Sequence, residues 1–407
     1  MVLRLTKNNE FWLASIFMLS NISGLLTELF NKIGLVYPTN LAFALIFCIA
    51  IIAWIKMLLL YPQAAFFVGI TYTAVLSLSI MLEPRIQMYI FNFNNGSLYD
   101  IAKSEFIYVL LLCLLLFLLG FGRANMDALF RYFRKYAVVS TIVFIALMIV
   151  TILKSTEKYN YMSIAYNALP GICILFLDTK LHGDKLSGLL CVFGVVGLFV
   201  GGCRGALATI IVLWLVWWLQ RLKAITVKKI VGAILLGVTA IVALHSLPYF
   251  AGILDKAFAS LGYSSRVIQS FLATAESEGF MSFGTRNLLQ AKILNNFNFF
   301  GHGIYSDRLV LNGVYPHNIV LEIIYQFGWL FGIPIIVSGV CLLIYIYCVA
   351  SRKNDKYLMA SLLFLISIIC VKLMVSSTYL SDLTFWFGMG FVNICFRNAN
   401  QNGDKQV

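Results

Sequence analysis

Three residues in this sequence, Arg204, Arg286 and His317, carry a charge or a titratable ring in settings where packing alone would not favour them. Arg204 follows Gly201-Gly202-Cys203 and precedes Gly205-Ala206. An arginine between two apolar runs must reach water or a partner, and glycines beside it let other groups approach the backbone. The alternative is a short turn whose arginine extends to the membrane interface. Arg286 opens a run with apolar residues at Leu288, Leu289, Ile293 and Leu294, a roughly helical spacing. In the first turn of such a helix a guanidinium grips phosphate in two-pronged fashion, aided by the helix N-terminus; otherwise it is a solvated loop charge. Ser264-Ser265-Arg266 has a similar form and makes Arg266 a further candidate for substrate binding. His317, between Pro316 and Asn318, has an ordinary pKa near 6.5, suited to a base around neutrality.

The elements that would position these groups follow from the same stretch. Asn318 is a candidate cap for a short helix over 317–327. Asn318, Glu322 and Tyr325 fall at i, i+4 and i+7, a polar stripe opposite Ile319, Val320, Ile323, Ile324 and Phe327. That stripe, with His302 earlier in the loop, is expected to bind substrate. A His302–Asp307–His317 metal set can be drawn, but no spacing favours it, and no metal or cofactor is expected. Phosphate-loop, H-E-x-x-H and G-x-S-x-G motifs are missing. What remains is a cationic grip on phosphate with one base. Lys372 lies inside an apolar run, placed either to pair with Glu322 or a lipid phosphate or to reach outward.

The rest of the chain is a hydrophobic scaffold. Of its 407 residues 61% are hydrophobic and 12% charged, against about 45–50% and about 25% for soluble domains. Apolar runs of about 20 residues recur, the length a helix needs to cross a bilayer. The expected fold is a single all-α polytopic integral membrane protein over 1–407, with about 12 transmembrane helices. The spans fall near 11–30, 41–60, 64–82, 106–122, 136–153, 161–177, 186–202, 206–219, 230–247, 329–349, 358–375 and 383–396. The inserted segment 248–328, a long loop with short amphipathic helices, separates the ninth and tenth. The first run has no small-residue cleavage site behind it and reads as a retained span. The net charge of +13 is accounted for by basic clusters at 123–135, 221–229 and 352–356, which place both termini and those loops in the cytoplasm and the long loop outside. No nucleic-acid partner is implied. The nine cysteines sit mostly in apolar runs and form no C-x-x-C pattern.

An arginine after glycine between two spans comes first; a long loop with N-x-F-x-F-x-G-x-G and a closing P-H-N-x-x-L-E-x-x-x-x-x-G follow. Together they resemble the O-antigen polymerase and O-antigen ligase superfamily. The matching residues are Arg204, Arg286, Gly301, Gly303, His317, Asn318, Leu321, Glu322 and Gly328; Cys203 departs from the Ser or Thr common there. The resemblance implies a metal-independent, inverting glycosyltransferase of the GT-C class in the bacterial inner membrane. The long loop would then be periplasmic, and an undecaprenyl-pyrophosphate-linked glycan would serve as donor and acceptor. Arg204 and Arg286 would hold the pyrophosphate and His317 would take the acceptor's proton. A polymerase of repeat units is the leading expectation, with a chain-length regulator as a further partner. A ligase moving polymer onto lipid A–core is the alternative. A flippase or transporter, which would need charges along its spans, is the third reading.

Overall fold

The computed structural model describes residues 9–35, 37–86, 106–122, 124–153, 161–201, 203–220, 249–250, 252–257, 259–260, 272 and 285–403, and no strand occurs among them. The apolar runs become helices because backbone groups in hydrocarbon must be satisfied within their own segment. In order these are α1 (Asn9–Ile33), α2 (Tyr37–Leu60), α3 (Pro62–Leu82) and α4 (Leu114–Leu119), the last entered through a π turn, Val109–Cys113. Then come α5 (Met126–Leu153), α6 (Tyr161–His182), α7 (Lys185–Val200), α8 (Arg204–Gln220), α9 (Thr285–Leu294) and α10 (Ser306–Val310). α11 (Ile319–Lys353) and α12 (Lys356–Ser367) follow; a π turn, Ile368–Lys372, and Leu373–Val375 extend α12 before α13 (Leu383–Gly403).

Among the described residues six helices are long and apolar enough to cross a bilayer, and four shorter apolar helices accompany them. The expected span near 230–247 lies outside the described residues. Two boundaries differ furthest from expectation. Arg131, Arg134 and Lys135, expected in a loop, belong to the first turns of α5; Asn125 starts that helix by accepting from the Ala128 N–H at 3.0 Å. Charged residues are good helix formers, so a basic cluster does not mark a loop by itself. The last helix runs on from the expected end near Phe396 to Gly403, through polar residues.

The chain divides into two compact units, one of Met1–Ser20, Asn40–Tyr136 and Thr285–Val407, the other of Asn21–Thr39 and Ala137–Gly284. In the first, Phe17 stacks on Phe387 with centroids 3.9 Å apart, and Phe133 and Phe364 meet Phe387 edge-on at 5.3 and 5.5 Å. Such pairs add about 0.5–1.5 kcal/mol each beyond burial, and they join α1, α5, α12 and α13. In the second unit, Asp184 caps α7 by accepting from the Ser187 N–H, and Asp178 accepts from the Ser187 hydroxyl, both at 2.7 Å.

α11 is broken at Gly328, where φ is 69° and ψ 178°. The break frees the carbonyls of Tyr325 and Gln326 and the N–H groups of Trp329 and Leu330, which an unbroken helix would pair with each other. The loop 298–303 satisfies all four. His302 and Gly303 donate to Tyr325 and Gln326 at 3.1 and 2.8 Å, and Trp329 and Leu330 donate to Asn298 and Phe299 at 3.3 and 3.1 Å. The contact needs glycine on both sides: a Cβ on Gly328 would lie 2.3 Å from the Gly301 nitrogen. Gly303 in turn lies against Ser79 of α3, whose hydroxyl accepts from the Ile304 N–H at 2.9 Å. Gly328→Ala is therefore expected to cost more than about 1 kcal/mol, read as a lower unfolding midpoint in detergent; an unchanged midpoint would show that the clasp is not needed.

Candidate active site

The clasp holds the loop so that α9 and the turn before α11 come together. Ile293 of α9 is fully buried with Leu311 and Tyr325, and Leu289, Phe297 and Leu321 pack around them. The Gln290 side-chain amide donates to the Pro316 carbonyl at 3.5 Å. Arg286, in the first turn of α9, is thereby brought close enough for its charge to act on His317.

His317 has φ 54°, a left-handed conformation uncommon for a residue other than glycine. Its ring lies 4.4 Å from the Tyr315 ring, centroid to centroid, and its Nδ1 is buried without a hydrogen-bond partner. Burial, followed by the positive charge of Arg286, pushes its pKa down to about 4; the Ser376 carbonyl works against this and Arg308 adds to it. The imidazole is therefore neutral near pH 7, with a lone pair free to take a proton. An anion held by Arg286 would cancel part of the opposing charge and strengthen the base as substrate binds.

This gives a pH dependence with a definite sign. A base is lost when it protonates, so the acidic limb of kcat/KM, which reports the free enzyme, should lie near pH 4 rather than near 6.5. Arg286→Ala removes a like charge and should move the limb upward. A limb at 6.5 in the wild type, or a downward move in the variant, would contradict the assignment.

The polar stripe beyond His317 faces inward. Asn318 caps α11, its side-chain oxygen accepting from Val320 and Leu321 at 3.0 and 3.2 Å. Glu322 is 0% exposed and accepts from Arg308 Nη1 at 2.9 Å and from the Thr378 hydroxyl. Arg308, fully buried itself, also pairs with Asp307 and donates through Nη2 to Thr378 at 2.8 Å. Gln326 donates to Asp307 at 2.8 Å and accepts from the Tyr379 hydroxyl at 2.5 Å. Asp307 is thus held by Arg308 and Gln326 rather than aligned with His302 and His317.

Glu322, expected to meet substrate, is instead part of this network, because a 3.6-residue stripe does not say whether its polar side faces water or other polar groups. Tyr325 is buried under the His302 ring, 4.6 Å away and nearly parallel, and His302 Nε2 hydrogen-bonds with the Asn296 carbonyl at 2.8 Å. Lys372 pairs with Asp382 at 2.7 Å and donates to Thr384 at 3.1 Å, not with Glu322. Arg266 lies outside the described residues. Arg204 is the first residue of α8, in the other unit, and its side chain lies outside the description.

Gln326, Thr378, Tyr379 and Tyr315 are site residues that sequence reasoning missed. Gln326 left a signal, since it follows Glu322 at i+4 on the same helix face. Thr378 and Tyr379 left none; they come from the turn between α12 and α13, more than fifty residues away in the chain.

No family model matches the chain, and no curated protein or solved structure does. At the level of class, the described residues form an all-helical protein with helices suited to crossing a membrane. A neutral imidazole, a nearby arginine and a buried ionic network are gathered in one unit.

Proposed function

We propose that the protein is a glycosyltransferase that joins polyprenyl-diphosphate-linked repeat units at the outer face of the inner membrane, as an O-antigen polymerase does. The observation that carries this reading is His317, neutral, with a free buried Nδ1 and in the field of Arg286. In the reaction, His317 takes the proton of an acceptor sugar hydroxyl as that oxygen attacks the anomeric carbon of the donor. The bond from that carbon to the carrier's diphosphate breaks with inversion, and the diphosphate leaves with the bonding pair. Arg286 stabilises the charge that develops there. Guanidinium groups supply positive charge in this scheme, so no step requires a metal.

The transport reading draws on one observation: Lys56, in α2, is 2% exposed and its Nζ has no hydrogen-bond partner, though it lies 5.9 Å from the centre of the Trp12 ring. The buried Lys372–Asp382 pair is satisfied locally by Thr384 and Ser377 and marks no path.

Gene deletion separates these readings. Loss of a polymerase leaves lipopolysaccharide bearing a single repeat unit, and loss of a ligase leaves polymer on the lipid carrier. Loss of a flippase leaves lipid-linked units on the cytoplasmic side. The single-unit phenotype, restored by the wild-type gene and not by His317→Asn, is the expected result.

A further inference from the structure

We infer that Arg308 and Thr378 are positioning residues for His317, holding Tyr315 and the Ser376 carbonyl against its ring. The inference rests on the reading of His317 as the base. The ring orients without a hydrogen bond of its own at Nδ1, so its placement depends on its neighbours. One neighbour is the Tyr315 ring, 4.4 Å away. The other is the Ser376 carbonyl, which faces the imidazole and accepts from the Tyr315 hydroxyl at 3.1 Å.

Both neighbours are held by one guanidinium. Arg308 lies 5.6 Å from the centre of the Tyr315 ring, and 5.7 Å from that of Tyr305. Its Nη2 donates to Thr378, two residues beyond Ser376, while Nη1 is held by Glu322 and Asp307. The turn is pinned at its other side as well. Ser376 and Ser377 donate their N–H groups to the Lys372 carbonyl at 2.9 and 3.1 Å. The Ser377 hydroxyl donates to Asp382 at 2.6 Å, and Asp382 pairs with Lys372. A planar guanidinium has the fixed fork to meet two carboxylates and a hydroxyl while lying near two rings; an ammonium has not. A base displaced by about 1 Å loses up to about 10²-fold in rate.

The test compares Thr378→Val, Thr378→Ser, Arg308→Lys and Tyr315→Phe with wild type and His317→Asn, all as purified full-length protein in vesicles. The substrate is a polyprenyl-diphosphate-linked repeat unit. Valine matches threonine in shape but lacks the hydroxyl. Thr378→Val is expected to lower kcat by about 10–10²-fold, with KM and acidic limb near the wild-type values and an unfolding midpoint lowered only as far as the loss of its buried hydrogen bonds requires. Thr378→Ser restores kcat. Arg308→Lys and Tyr315→Phe lower kcat in the same way, and combining Arg308→Lys with Thr378→Val adds little, as expected for partners in one network. Wild-type kcat in Thr378→Val, or equal losses in the Val and Ser variants, would overturn the inference while leaving the base assignment standing. Full turnover by His317→Asn would remove the base assignment, and this inference with it.

Discussion

His317→Asn is expected to insert and fold as the wild type does and to lose glycan transfer by about 10²–10⁴-fold, the range that a positioned base contributes. Asparagine is the informative replacement because position 317 has φ 54°, which asparagine tolerates better than alanine. It keeps a polar side chain of similar reach and cannot accept a proton near neutrality. The loss should fall on kcat, because His317 acts on the acceptor hydroxyl as the bond forms rather than on the bound ground state. Turnover within threefold of wild type would leave the imidazole without a chemical role.

The second large effect is on stability. Arg308→Met removes the guanidinium that Asp307 and Glu322 share, and both side chains are 0% exposed. Breaking a buried ion pair by removing one partner costs about 3–5 kcal/mol, because the remaining charge keeps its desolvation penalty and loses its compensation. Here Asp307 and Glu322 would be left without the cation they share. Arg308→Met should therefore show a sharply lower unfolding midpoint in detergent. Glu322→Gln keeps an acceptor for Arg308 and Thr378 while removing one of the two negative charges, and its cost should stay below about 1.5 kcal/mol. Equal stability of Arg308→Met and wild type would mean that the network is not ionised as drawn.

How much of this could be read in advance depended on the range of the interaction. Apolar run lengths are local, and they foreshadowed most helices. So is the helical run opened by Arg286, which begins one residue earlier at Thr285, and so is the cap at Asn318, where the side chain and the N–H groups it satisfies are three residues apart or fewer. Gly301, Gly303 and Gly328 stand out in the sequence as glycines of a polar segment, but nothing local shows that Gly301 and Gly328 touch each other or that Gly303 lies on Ser79. The inward turn of Glu322 was equally hidden. Its partners are Arg308, fourteen residues back, and Thr378, fifty-six residues ahead, and long-range contacts leave no period in a sequence. The helical continuation through Arg131, Arg134 and Lys135 is equally illegible, because a cluster of charges is compatible with a loop and with the polar end of a helix alike.

The most direct test of the central claim is an assay of the purified, reconstituted protein with undecaprenyl-pyrophosphate-linked repeat units, with and without EDTA. The account predicts a ladder of lengthened lipid-linked glycans and released undecaprenyl pyrophosphate, unaffected by the chelator and absent with His317→Asn. No lengthened product from wild type, or an equal ladder from His317→Asn, would contradict it.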